Sequence, residues 1–170
     1  MVNVSSKLQE LGQLHVADPH LLCAYSPAVA YGQSKLAQVL FAAEMQRRLA
    51  SPATHPTTHP NRPTVICMAL HPGEVLTSVA RSLPAWVQRL QNAIMPLFLL
   101  TPEQGARCTV YCATSDAAAE AVVGRHACYF DSNGRAVRPN AAAGDLGLRR
   151  WLWAWSEVSV GLPHALKLPP

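Results

Sequence analysis

Two side chains of complementary chemistry stand four residues apart in the stretch Ala30-Tyr31-Gly32-Gln33-Ser34-Lys35-Leu36-Ala37. The surrounding pattern predicts a helix over residues 28–49, on which positions i and i+4 share a face one turn apart. An ammonium held beside a phenol favours the phenolate, so Tyr31 is a candidate general acid/base wherever water is excluded. Alone, Tyr-x-x-x-Lys is a weak pattern that ordinary amphipathic helices produce by chance. Two flanking stretches strengthen it. Val2-Asn3-Val4-Ser5-Ser6 alternates like a short strand and ends in two hydroxyls, which strand alternation sends to opposite faces. Residues 64–70 read as a strand apolar on both faces, running into the turn His71-Pro72-Gly73. Ligands of open α/β sheets gather at the C-terminal strand ends, where Ser6 and Pro72-Gly73 both fall.

The elements that must hold these groups follow from the rest of the chain. Asp18-Pro19 and Tyr25-Ser26-Pro27 are turn chemistry between the first strand and the long helix. On that helix Leu36, Val39, Leu40, Ala43 and Leu49 suit packing, while Gln46, Arg47 and Arg48 mark a wetter end. Four prolines between residues 51 and 63 exclude a regular ladder or helix, so 51–63 is predicted to be a surface loop. His55 and His59 within it lack thiol or carboxylate partners and do not make a metal site. Residues 78–100 read as one or two short helices with an apolar surface. Thr101-Pro102-Glu103-Gln104 is a strong helix start, with an N-cap, Pro at the first position and a capping box. That helix is predicted to end near Ala113, followed by a short strand over 124–130, a turn at Asp131-Ser132-Asn133-Gly134 and a terminal helix over 145–157. Trp151, Trp153 and Trp155 cannot all face one core from a helix, so one of them is expected to reach a partner or a lipid surface.

The chain has 170 residues, one domain's worth, of which 49% are apolar and 14% charged. Its formal charge is +4 and its pI near 9.0, but the basic residues are scattered and not interleaved with aromatics, which argues against nucleic-acid binding. Five cysteines without a C-x-x-C pair read as small buried thiols in a reducing, intracellular compartment. No signal sequence opens the chain, and the apolar run at 93–100 is too short to span a bilayer.

Taken together and in this order, the stretches around Ser6, Tyr31-Lys35 and His71-Pro72-Gly73 resemble the short-chain dehydrogenase/reductases, and within them the retinol-dehydrogenase-like group. The likeness covers residues 2–155. It implies an α/β fold: the C-terminal part of a doubly wound, Rossmann-type parallel sheet, about three strands with flanking helices. Residues 1–170 would form a single partial domain, the catalytic and substrate-side half. The family's nucleotide-binding half precedes the strand at Val2, and the sequence contains no G-x-G-x-x-G, T-G-x-x-x-G-x-G or Asn-Asn-Ala-Gly. The N-terminal nucleotide-binding half is therefore expected to be absent, with weak dinucleotide binding as the consequence.

Function follows from the same resemblance. It implies hydride transfer between NAD or NADP and an apolar alcohol, aldehyde or ketone, retinol-like or lipid-like. Ser6, Tyr31 and Lys35 match the catalytic positions, with Ser6 polarising the substrate oxygen and Tyr31 exchanging its proton. Tyr31 and Lys35, together with Pro72, Gly73, Val75 and Thr77, match positions that contact the cofactor. Lys35 would bond the nicotinamide ribose, Gly73 would permit close backbone approach, and Thr77 would bond the carboxamide. Ser34 reads as local packing or capping and His71 as structural. Residues 78–100 would lie over the substrate as a lid, and the helix carrying Tyr31 would pair two subunits into a homodimer. The alternative is a non-catalytic remnant serving as an interaction module.

Overall fold

A computed structural model describes residues 1–23, 25–51, 65–74, 100–123 and 129–169. Strand β1 (Val2–Val4) leads into a 3-10 helix (Lys7–Leu11), a loop and the long helix α1 (Pro27–Leu49). Strand β2 (Met68–Leu70), helices α2 (Pro102–Thr114) and α3 (Asp116–Val122), and strands β3 (Tyr129–Phe130) and β4 (Ala136–Val137) follow. A short 3-10 turn (Ala141–Gly144) then precedes helix α4 (Leu146–Ser159) and a final 3-10 turn (His164–Leu166).

Among the described residues the sheet runs in the order β1-β2-β3-β4, parallel from β1 to β3 and antiparallel between β3 and β4. Every residue of β2 is buried, as its unbroken apolar run requires. Alternation splits β2 and β3 between two cores. Ala69 and Tyr129 face one built from Leu36, Val39 and Leu40 of α1 and Leu152 of α4. Met68, Leu70 and Phe130 face another built from Cys108 and Cys112 of α2 and Ala118 and Val122 of α3. The result is a helix–sheet–helix sandwich, the layering of an α/β fold.

Local chemistry sets the helix ends. Pro27 at the first turn starts α1. The predicted capping box of α2 is complete: Gln104 N–H donates to Thr101 Oγ1 over 3.2 Å, and Thr101 N–H donates to Gln104 Oε1 over 2.8 Å. Asp145 caps α4 by accepting from Leu148 N–H at 3.0 Å.

Two expectations need correction. Strand β4 was not foreseen: it has two residues, both exposed, and carries no alternation that a sequence pattern could detect. The C-terminal end of α1 is not wet. Gln46 and Arg48 are buried there, because Gln46 Oε1 accepts from Cys67 N–H at 2.7 Å. Arg48 bonds the buried Glu44 at 2.9 Å and lies over the Trp153 ring at 4.7 Å. The three tryptophans of α4 differ in burial. Trp153 is buried against Phe41, with rings stacked 5.0 Å apart, while Trp151 and Trp155 are half-buried and stack on each other at 6.1 Å. The predicted surface loop, apart from Ser51, and the predicted lid, apart from Leu100, lie outside the described residues. No helix among the described residues is long and apolar enough to cross a membrane.

Candidate active site

Register brings the predicted groups to one end of the sheet. Val4 pairs with Leu70, so Ser5-Ser6 and His71-Pro72 leave adjacent parallel strands at the same level. Ser5 N–H donates to Leu70 C=O at 2.7 Å, and His71 N–H donates to Phe130 C=O at 3.0 Å. The three strand ends are thereby tied edge to edge. Helix α1 crosses this end and presents Tyr31 and Lys35. The Lys35 ammonium lies 5.5 Å from the Tyr31 ring centroid, within cation–π range, and donates to Val4 C=O at 3.2 Å. Tyr31 itself is 44% exposed, which leaves its hydroxyl reachable.

The two serines separate as strand alternation requires. Ser5 is buried and donates to the Lys35 carbonyl at 2.7 Å. Ser6 is half-buried and caps the 3-10 helix, its Oγ accepting from Leu8 N–H at 3.3 Å. That bond leaves the Ser6 hydroxyl proton available to a ligand. Ser34 donates back to Tyr31 C=O at 2.8 Å, a local bond to the preceding turn of the helix.

Sequence reasoning missed the residues that hold this arrangement. The buried hydroxyl of Tyr129 donates to Ser6 C=O at 3.0 Å, and burial pushes this phenol well above the ordinary tyrosine range. Asn140 Nδ2 donates to the carbonyls of Gln9, Glu10 and Gly12, each at 3.0 Å, while Gln9 Oε1 accepts from Asn140 N–H at 2.9 Å. This amide closes the end of the 3-10 helix that follows Ser6. Gln33, on α1, accepts from His15 N–H at 2.9 Å and donates to Pro19 C=O at 2.8 Å, fastening the loop to the helix. These partners lie far apart in sequence, and no spacing rule connects them.

On the second strand end, Gly73 adopts φ +86°, and a Cβ there would meet Leu100 Cδ1 at 2.6 Å. Only glycine suits both the conformation and the space. Leu100 N–H donates to Glu74 C=O at 2.8 Å, which holds the wall in place. Val75 and Thr77 lie outside the described residues. Gly73, with bare backbone at a strand end, and the ammonium and phenol presented by α1 are groups that suit a nicotinamide and its ribose in kind. His71 is half-buried. Burial lowers its basicity below the ordinary histidine value of 6.5, against the opposing pull of Asp131 and Glu10.

No family model matches this chain. Human retinol dehydrogenase 14 is 35% identical over 164 residues, covering 95% of this chain and 44% of the relative. Human polyprenol dehydrogenase is 34% identical over 116 residues, 68% of this chain and 32% of the relative. A crystal structure of an uncharacterized protein from Mycobacterium Paratuberculosis superposes with a TM-score of 0.59 at 30% identity, covering 92% of this chain and 48% of the other. The fold and strand-end site define an α/β protein of the Rossmann type. The chain belongs to the short-chain dehydrogenase/reductase family, in its retinol-dehydrogenase-like group. It spans less than half the length of these curated relatives.

Proposed function

We propose that this chain carries the proton-transfer and substrate-side half of an NAD- or NADP-dependent oxidoreductase acting on an apolar alcohol, aldehyde or ketone. The observation that carries this reading is the Lys35 ammonium beside the Tyr31 ring while bonded to Val4, two residues before Ser6. A nicotinamide, when bound, supplies the hydride acceptor or donor for the carbon that bears the oxygen. Tyr31 Oη takes the proton of the alcohol in oxidation and returns one to the carbonyl oxygen in reduction. Lys35 stabilises the phenolate by its charge and has further donors for ribose hydroxyls. Ser6 Oγ–H donates to the substrate oxygen as charge develops there. Gly73 lets the backbone approach the cofactor, and Pro72, Val75 and Thr77 match the family's cofactor-contacting positions.

An apolar substrate fits the surface beside the site. Leu8, Leu11 and Val29 are exposed and line, with Gln13, His15 and the Gly32 that follows Tyr31, a cleft of about 390 Å³. The names of the relatives, a retinol and a polyprenol dehydrogenase, point the same way. The test is turnover of retinol and of long-chain primary alcohols with NAD and with NADP, run in parallel with Lys35→Ala. Activity in the unaltered protein, with turnover and dinucleotide affinity both impaired in the variant, supports the reading. Lys35→Ala with undiminished turnover and affinity contradicts it.

A second reading, an interaction module without catalysis, is favoured by β1, which has a strand neighbour on one side among the described residues. Dinucleotide binding separates the two, since the module has no use for it.

A further inference from the structure

The turn at the end of β2 is held from within. Gly73 N–H donates to His71 Nδ1 at 3.3 Å, spanning the proline that separates them. Pro72 fixes its own φ, Gly73 occupies the left-handed region at φ +86°, and the imidazole closes the ring between them. Because Nδ1 accepts, the ring proton must sit on Nε2 and the imidazole must be neutral. The ring is walled by Tyr129, with centroids 5.8 Å apart. Among the described residues the charged groups acting on it are Asp131 after β3 and Glu10 and Lys7 of the first 3-10 helix.

We propose that His71 is a positioning residue that acts through Gly73. Its unprotonated Nδ1 locks the Pro72-Gly73 turn in the conformation offered to the nicotinamide, and protonation releases it. This rests on the oxidoreductase reading for its purpose, but the lock itself is a property of the unliganded chain. Protonation of Nδ1 replaces an acceptor with a donor facing a donor, so the Gly73 amide loses its partner. Burial favours the neutral ring, outweighing Asp131 and Glu10, and Lys7 adds to it. The lock therefore holds at neutral pH and opens as the pH falls, with its midpoint shifted below the ordinary histidine value.

The test is long-range 1H–15N spectroscopy of the 15N-labelled protein across a pH titration, with hydrogen exchange at the Gly73 amide. The expected result is a neutral His71 protonated on Nε2, with the Gly73 amide shifting at the midpoint of the His71 titration. His71→Asn keeps an acceptor that can reach the amide two residues on, so Gly73 stays protected and its pH dependence disappears. His71→Ala leaves Gly73 unprotected at every pH. It also raises the apparent KM for the dinucleotide roughly 3- to 10-fold, the worth of one hydrogen bond, with kcat little changed. A ring protonated on Nδ1, or a Gly73 amide indifferent to the His71 titration, overturns the proposal. If His71→Ala does not fold, His71→Asn decides: a Gly73 amide unprotected in that variant also overturns it. A protein that shows the lock but binds no dinucleotide contradicts the oxidoreductase reading and leaves the lock standing.

Discussion

Ser5 and Ser6 are neighbours in the chain with separate duties. Ser5 Oγ is buried on the Lys35 carbonyl, whereas Ser6 Oγ keeps its proton free at the strand end. Ser5→Ala should therefore destabilise the fold by about 1 kcal/mol, the net worth of one hydrogen bond, and change turnover by only a few-fold. Ser6→Ala should lower kcat roughly 100-fold, as loss of one preorganised donor does, with little change in thermal stability. Denaturation curves and steady-state rates on both variants check this pair. Tyr129 acts through the Ser6 carbonyl, so Tyr129→Phe should cost activity in the unaltered protein and almost nothing in a Ser6→Ala background. Additive losses in that double-mutant cycle would detach Tyr129 from Ser6. The shared helix face of Tyr31 and Lys35 and the strand-end position of Ser5-Ser6 were legible in the sequence, from a helical spacing and a strand pattern, whereas the choice of Ser6 came from the family resemblance. Tyr129, Gln9 and Asn140 were not legible, since each acts on a partner more than 120 residues away in the chain.

At the scale of elements, the segment after Ser6 lies directly on α1. A Cβ on Gly12 would come within 2.4 Å of Gly32 C=O and 2.9 Å of Leu36 Cβ. Gly32 follows Tyr31, so this contact sets how far the 3-10 helix stands from the proposed acid/base. Gly12→Ala must push the two apart, an overpacking cost of about 1–3 kcal/mol. Turnover should fall more than stability alone explains, and comparing rates with unfolding midpoints checks this. The elements that could be read from sequence share a local cause. Thr101 and Gln104 announce α2 through a three-residue spacing, and Pro27 announces α1. The end of α1 was misread because its polar residues are buried by distant chain: Gln46 by Cys67, and Arg48 by the carbonyls of Leu168 and Pro169 at 3.2 Å. Buried polar side chains look like surface until their partners are known.

On the scale of the whole molecule, β1 is an edge strand among the described residues. Its bonds to β2 pass through Met1 and Ser5, so the backbone groups of Val2 and Val4 face outward. Lys35 occupies the Val4 carbonyl, and Val4 is 41% exposed. Beside it Val2, Val4, Phe41, Leu152 and Trp155 line a groove of about 460 Å³. An apolar edge of this kind pairs with other chains, and a charged side chain suppresses such pairing. Sedimentation velocity should show concentration-dependent association, reduced in Val4→Lys. A monodisperse monomer that unfolds cooperatively would contradict this. The layering of the molecule was legible because β2 is apolar on both faces and must be covered twice. Strand β4, short and exposed, gave no such signal.

The central claim is that Tyr31 exchanges the proton, and Tyr31→Phe removes that hydroxyl alone. The direct measurement is single-variant kinetics with an apolar alcohol, paired with dinucleotide titration of the same samples. Turnover is expected to fall at least about 100-fold, the scale of a missing general acid/base, with dinucleotide affinity unchanged within a few-fold. Turnover in Tyr31→Phe close to that of the unaltered protein would contradict the claim.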